Sequence, residues 1–130
     1  MGRDSMSRIE KVNEAIKREI SNMIQMGALS DPRVRFVTIM GVEVSKDLQH
    51  ARVKFSTLSE DPKDIQDAAE GLDSCRGYVR KLISERVVMR YTPQFKFVYD
   101  KTVHLAEHID KVLEEIKKIN PSGEDVDEVI

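Results

Sequence analysis

Two kinds of hydrophobic spacing alternate along this chain, and together they predict an α+β fold: three strands covered on one side by helices. Apolar residues three and four apart mark residues 9–24, 65–83 and 109–116, whereas β-branched runs and strict alternation mark 36–45, 51–56 and 94–100. A glycine at position 77 falls inside the longest helical stripe, so the expected order is helix, strand, strand, helix, helix, strand and a final helix.

Ser7 is placed to cap the first helix, with Glu10 at the reciprocal capping position and a stripe of Ile9, Val12, Ile16, Ile20, Met23 and Ile24. That helix should end near Gly27, and Ser30-Asp31-Pro32-Arg33 then breaks helical geometry because proline restricts both itself and its predecessor. Phe36 to Ser45 reads as a strand in which Gly41 marks a bulge or a close contact. After Lys46-Asp47-Leu48-Gln49, a second strand alternates Ala51, Val53 and Phe55 with Arg52, Lys54 and Ser56, which predicts a hairpin with Arg52 and Lys54 on its outer face. Asp47 is expected to accept backbone hydrogen bonds in the turn.

The apolar stripe Ile65, Ala68, Leu72, Cys75, Val79, Leu82 and Ile83 keeps helical spacing through Gly77, which predicts a helix pair over about Pro62 to Val88 with its kink at Cys75 and Gly77. Without a Cβ, Gly77 would allow another backbone close, and a helix beginning there could turn free N–H groups toward an anion. Pro93 introduces the third strand, Gln94 to Asp100, with Phe95, Phe97 and Tyr99 on one face and Lys96 on the other. Ile109, Val112, Leu113 and Ile116 form the stripe of a last amphipathic helix ended by Asn120-Pro121-Ser122-Gly123. One domain is expected over residues 1–119, followed by an acidic tail at 120–130 with too little to bury to fold.

A length of 130 residues is enough for one core without disulfides or metal, and a single cysteine agrees with a reducing compartment. No run approaches a bilayer-spanning length, and Met1 to Ser7 lack the apolar core of a secretion signal, so a cytoplasmic protein without membrane contact is expected. The net charge of −2 hides a segregation. From Arg76 to Lys101 there are seven bases against two acids; Glu60 to Asp73 carries six acids against one lysine, and Thr102 to Ile130 eight acids against three lysines. A basic middle between acidic flanks points to a phosphate-bearing partner, with Arg76, Arg80 and Lys81 beside the kink, Arg52, Lys54 and Lys96 on a neighbouring strand face, and Arg90 between. The alternative is that these side chains only solvate exposed faces. Arg33 and Arg35 stand equally between a turn and a contact with RNA. With no Trp and aromatics at 5%, backbone recognition is favoured over base reading.

Catalysis finds little support. His104 and His108 lie four apart with Glu107 between, but no third metal ligand is assigned and the His-Glu-x-x-His order is missing, so no metal is expected. Cys75 has no glycine-framed elbow and lies on the apolar stripe, and no phosphate-cradling glycine loop is present for a nucleotide.

In this order, the residues resemble the ribosome-binding factor A family of bacterial small-subunit assembly factors. The resemblance runs from about Arg8 to Leu113 and rests on Asp31-Pro32-Arg33, Val37-Thr38-Ile39, Val42-Glu43-Val44-Ser45-Lys46-Asp47-Leu48, Gly77-Tyr78-Val79-Arg80 and Arg90-Tyr91-Thr92-Pro93 with Phe97 and Asp100. It implies a type II KH-like domain in which the Gly-x-x-Gly clamp is missing and an Ala-x-Gly kink replaces it. The six glycines here include no pair three apart; Cys75 occupies the kink alanine, and Gln94-Phe95 replaces the family's usual Glu-Leu. The resemblance further implies a monomeric, cofactor-free, non-enzymatic factor. Such a factor binds the immature small (30S) subunit and its 16S rRNA, supports processing of the rRNA 5′ end and matters most in the cold. Two alternatives stay open: a protein-interaction module acting through the last helix, and a metal-dependent hydrolase built on His104, Glu107 and His108.

Overall fold

The structure is a computed structural model and describes residues 7–119. Its first helix, α1 (Arg8–Gln25), opens on a reciprocal cap: the Ser7 hydroxyl accepts the Glu10 amide at 3.1 Å, and the Glu10 carboxylate accepts the Ser7 amide at 2.8 Å. It closes with Gly27 at φ +71°, where the Gly27 amide donates to the Ile24 carbonyl and the Ala28 amide to the Met23 carbonyl. That left-handed cap is the reason a glycine stands at 27. A single 3-10 turn (Pro32–Val34) follows, capped by Asp31.

β1 (Thr38–Val44) and β2 (His50–Ser56) form the expected antiparallel hairpin, and its register shifts between Ile39 and Gly41, the bulge expected at the glycine. In the turn, Asp47 accepts the Ser45 hydroxyl at 2.6 Å and the Gln49 amide at 3.0 Å, while Leu48 takes a positive φ of 62°. These contacts hold the Asp47 carboxyl below its ordinary range, the Ser45 hydrogen bond first. β3 (Gln94–Tyr99) pairs parallel to β2, giving the order β1-β2-β3.

The crossover between β2 and β3 is α2 (Pro62–Arg86), 25 residues long. The expected helix pair meeting at Cys75 and Gly77 is instead this one helix, with α-helical backbone continuous through both positions. The physical reason is that Gly77 costs a helix only about 1 kcal/mol, whereas Leu72, Cys75, Val79, Leu82 and Ile83 bury one stripe on both sides of it. No second N-terminus opens at Gly77, so the anion site expected from free amides loses its basis. Nor does another backbone approach there: a Cβ on Gly77 would meet nothing within 4 Å. The close approach is at Gly71, whose added Cβ would lie 2.9 Å from the Cβ of Arg33 and 3.1 Å from Val34.

The core is one cluster in which Ile16, Ile20 and Met23 of α1 and Leu72, Val79 and Ile83 of α2 meet Ile39, Val42, Ala51, Val53, Phe55 and Phe95 of the sheet. Both helices therefore cover the same sheet face, α1 lying against β1 and α2 against β3. The edge of β1 is tied to α1 where the Val44 amide donates to Asn13 Oδ1 at 2.9 Å.

The chain divides into two compact units, the first ending at Asp100 and the second beginning at Lys101. The second contains α3 (Thr102–Ile119), whose apolar stripe includes the exposed Leu105, Ile109, Val112 and Leu113. Among the described residues, no helix is long and apolar enough to cross a membrane. The acidic tail expected at 120–130 lies outside the described residues.

Candidate nucleic-acid interface

The alternation of β-strands sends successive side chains to opposite faces. Because Ala51, Val53, Phe55 and Phe95 turn into the core, Arg52, Lys54 and Lys96 turn to the face that neither α1 nor α2 covers. There the register sets Arg52 directly opposite Lys96 across the parallel pair, and Glu43 opposite Arg52 across the hairpin. Glu43 reaches Lys54 at 3.0 Å and Arg52 at 3.4 Å. One carboxylate thus serves two cations, and Lys96 adds a third charge to the row.

A second group of cations meets at the hairpin end of the sheet. Arg80, on α2, donates from Nη2 to the Thr92 carbonyl at 2.9 Å and from Nε to the Pro93 carbonyl at 3.2 Å. Pro93 is fully buried, and the Gln94 amide donates to the Gln49 carbonyl at 2.9 Å. Arg80 thereby joins α2, the loop before β3 and the hairpin turn, around a cleft lined by Leu48, Gln49, Arg80, Tyr91, Thr92 and Gln94. Beside it the guanidinium of Arg90 stands over the Tyr91 ring, 5.6 Å from its centroid.

The nine cations singled out in the sequence therefore do not form one cluster. Arg52, Lys54 and Lys96 line the open sheet face, and Arg80 and Arg90 the sheet end. Arg76 and Lys81 are exposed on α2, outside its buried stripe, with Arg76 one turn before Arg80. The reason is layering: α2 buries its apolar stripe against the sheet, so its polar residues stay outside that stripe. The charge segregation also has a structural component, because Asp61, Asp64, Asp67, Glu70 and Asp73 precede Arg76, Arg80, Lys81 and Arg86 along one helix, the polarity that its dipole favours.

Arg33 is held by a structural task. It grips Asp31 through Nε at 3.0 Å and Nη2 at 2.7 Å and reaches Glu70 at 3.4 Å, while Asp31 also accepts the Arg33 amide at 2.9 Å and the Ser74 hydroxyl at 3.0 Å. These bonds, those from Arg33 foremost, hold the Asp31 carboxyl far below its usual range and raise Arg33. Arg35 closes the same turn with its amide on the Pro32 carbonyl and leaves its side chain exposed.

Cys75 is buried, with its sulfur 3.8 Å from the Ser74 hydroxyl. Among the described residues, no three His, Cys, Asp or Glu come together in a group that could hold a metal ion. Gln49, Tyr91 and Gln94 line the hairpin-end cleft, although the sequence places none of them among the candidate binding residues. The aromatic beside Arg90 was the available signal, but only the fold brings it to Arg80.

The chain is similar throughout to proteins of one family. The family model described as ribosome-binding factor A matches residues 8–113. A ribosome-binding factor A from Halothermothrix orenii is 40% identical over 111 residues, covering 85% of this chain and 89% of the relative. Another, from Thioalkalivibrio sulfidiphilus, is 40% identical over 129 residues, covering 96% and 98%. Among solved structures, the crystal structure of ribosome-binding factor A from Thermus thermophilus is 26% identical with a TM-score of 0.62, covering 72% of this chain and 97% of that one. The solution structure of a Thermotoga maritima protein described as a putative ribosome binding factor A is 28% identical with a TM-score of 0.57, covering 75% and 94%. With the sheet, the crossover helix and the motif residues from α1 to α3 all accounted for, this chain belongs to the ribosome-binding factor A family.

Proposed function

We propose that this protein is a non-enzymatic assembly factor that binds the immature small (30S) ribosomal subunit by gripping the phosphates of its 16S rRNA. The observation that carries this reading is the Arg52–Lys96 pair on the open sheet face. Like charges directly opposite each other in a sheet are destabilising, and within the strands Glu43 is shared between Arg52 and Lys54 and makes no ion pair with Lys96. A polyanion relieves that repulsion and releases its own counterions on binding. Family membership supports the ribosome as the source of the polyanion.

Such a factor works by population shift: it favours the rRNA conformer it binds better, and supports maturation of the 5′ end without cleaving anything itself. Rearrangements of misfolded RNA slow in the cold, where such a bias matters most. The reading needs no cofactor or metal, a single copy of the chain, and a cytoplasmic location. The exposed apolar stripe of α3 favours a second reading, contact with a protein. Cosedimentation with purified small subunits separates the two. Arg52→Glu with Lys96→Glu should abolish association at moderate salt, and wild-type association should fall steeply as salt rises. Association that ignores both the double variant and salt would replace RNA with a protein partner.

A further inference from the structure

We propose that the cleft at the hairpin end of the sheet receives one unpaired base of the bound RNA, stacked on Tyr91; this subsite rests on the RNA reading above. The cleft has a volume of about 220 Å³. Ordinary small-molecule pockets run to roughly 300–1,000 Å³, so it suits one ring system better than a whole nucleotide. Tyr91 is 53% exposed beside it, so part of its ring stays open although Arg90 stands over it. Arg90 over the ring adds a cation to a stacking platform, the combination that single-strand binders use without regard to sequence. Gln49 and Gln94 are among the lining residues, and the side-chain amide of each carries both a donor and an acceptor suited to a base edge. Arg80 is already oriented by the Thr92 and Pro93 carbonyls, with its other N–H bonds left for an incoming acceptor.

Gln94, which lines the cleft, opens the strand that carries Lys96. His50 pairs with Gln94 at its border, Arg52 with Lys96 one step further, and Lys54 with Val98 beyond. Successive rows on one sheet face are about 6.6 Å apart, two residues of strand rise. An extended RNA strand with its phosphates over Lys54, Arg52 and Lys96 therefore brings its next nucleotide to Tyr91. A paired base cannot enter, since its edge and faces are already occupied.

The test uses the full chain and three probes: a short oligouridylate, the same strand with abasic sites, and a blunt RNA duplex. With three tyrosines and no tryptophan, tyrosine fluorescence reports directly. Oligouridylate should quench it, and Tyr91→Leu should remove most of that quenching. Tyr91→Ala should weaken oligouridylate binding about 5- to 150-fold, the range for loss of one stacked base, with Tyr91→Phe near wild type and duplex binding unchanged. The abasic strand should bind wild type as weakly as oligouridylate binds Tyr91→Ala, and this arm needs no variant to fold. Equal affinity for abasic and intact strands, or no binding of oligouridylate at all, would overturn the subsite. If Arg52→Glu with Lys96→Glu still abolishes subunit association in that case, only the subsite falls. If charge reversal leaves association intact, the phosphate reading falls with it.

Discussion

The Cβ of Arg33 lies 2.9 Å from the point where a Cβ on Gly71 would stand, so the 3-10 turn and α2 touch through a gap that only hydrogen fits. Gly71→Ala adds a methyl that the rigid Cβ of Arg33 cannot avoid. Overpacking costs typically about 1–3 kcal/mol, and alanine returns about 0.8–1.0 kcal/mol of helix propensity, so a net loss near 1 kcal/mol is expected. Gly77→Ala meets open space and should gain about 0.5–1 kcal/mol. Urea melts of the two variants with an unchanged slope measure both; a stabilised Gly71→Ala would contradict the packing.

Asp31 makes stability depend on pH. Its folded carboxyl is held far below the roughly 3.9 of an unfolded aspartate, chiefly by Arg33. The unfolded chain therefore takes up the proton first, so the contribution is complete above about pH 4 and is lost as pH falls toward the folded value. Asp31→Asn should melt below wild type at neutral pH, and the gap should narrow steadily on acidification below pH 4. Thermal melts across that range check it; a gap that stays constant would assign the effect to something other than this carboxylate.

Lys96→Glu should separate stability from binding. It places opposite charges across the β2–β3 register, which is worth about 0.2–1 kcal/mol in favour of the fold. On the proposed binding mode the same change removes one phosphate contact and should flatten the log–log salt dependence of single-strand RNA binding by about 0.7. Denaturant melts and salt titrations of one preparation measure the two. A destabilised variant would contradict the repulsion across the register, and an unchanged slope would place Lys96 outside the interface.

Arg80→Met leaves the Thr92 and Pro93 carbonyls without their donors. A loss of about 1–1.5 kcal/mol is expected, at the low end for charge-assisted bonds because Arg80 is exposed. Arg80→Lys should recover only part of it, since a point charge cannot span both acceptors as the planar fork does. Hydrogen exchange should quicken at Gln94 and Phe95 in particular.

Much of the fold was legible because it rests on local rules. Ser7 and Glu10 announce their cap, Gly27 its left-handed turn, Gly41 its bulge, and the alternation from Ala51 to Ser56 sets which side of β2 is dry. At Gly77 the outcome is not local: a glycine weakens a helix, but the residues buried before and after it decide whether the helix continues. Gly71 looks no different in sequence, and its necessity comes from Arg33 and Val34, far away along the chain. The cations divide likewise. Their signs and density are written in the sequence, yet Arg76 and Lys81 part from Arg52 and Lys96 only once α2 is laid on the sheet. Arg33, balanced between turn and contact, is seen to be engaged when Ser74 and Glu70 arrive beside it.

The parallel pairing of β2 and β3 sets the order in which the molecule can assemble. The hairpin closes over a few residues, whereas β3 reaches its neighbour only after the whole of α2 has been laid down, so the last pairing bears the largest loop-closure entropy. During synthesis the central strand therefore waits with one edge unpaired until residue 99 has emerged, and the nascent chain is most open to misassociation in that interval.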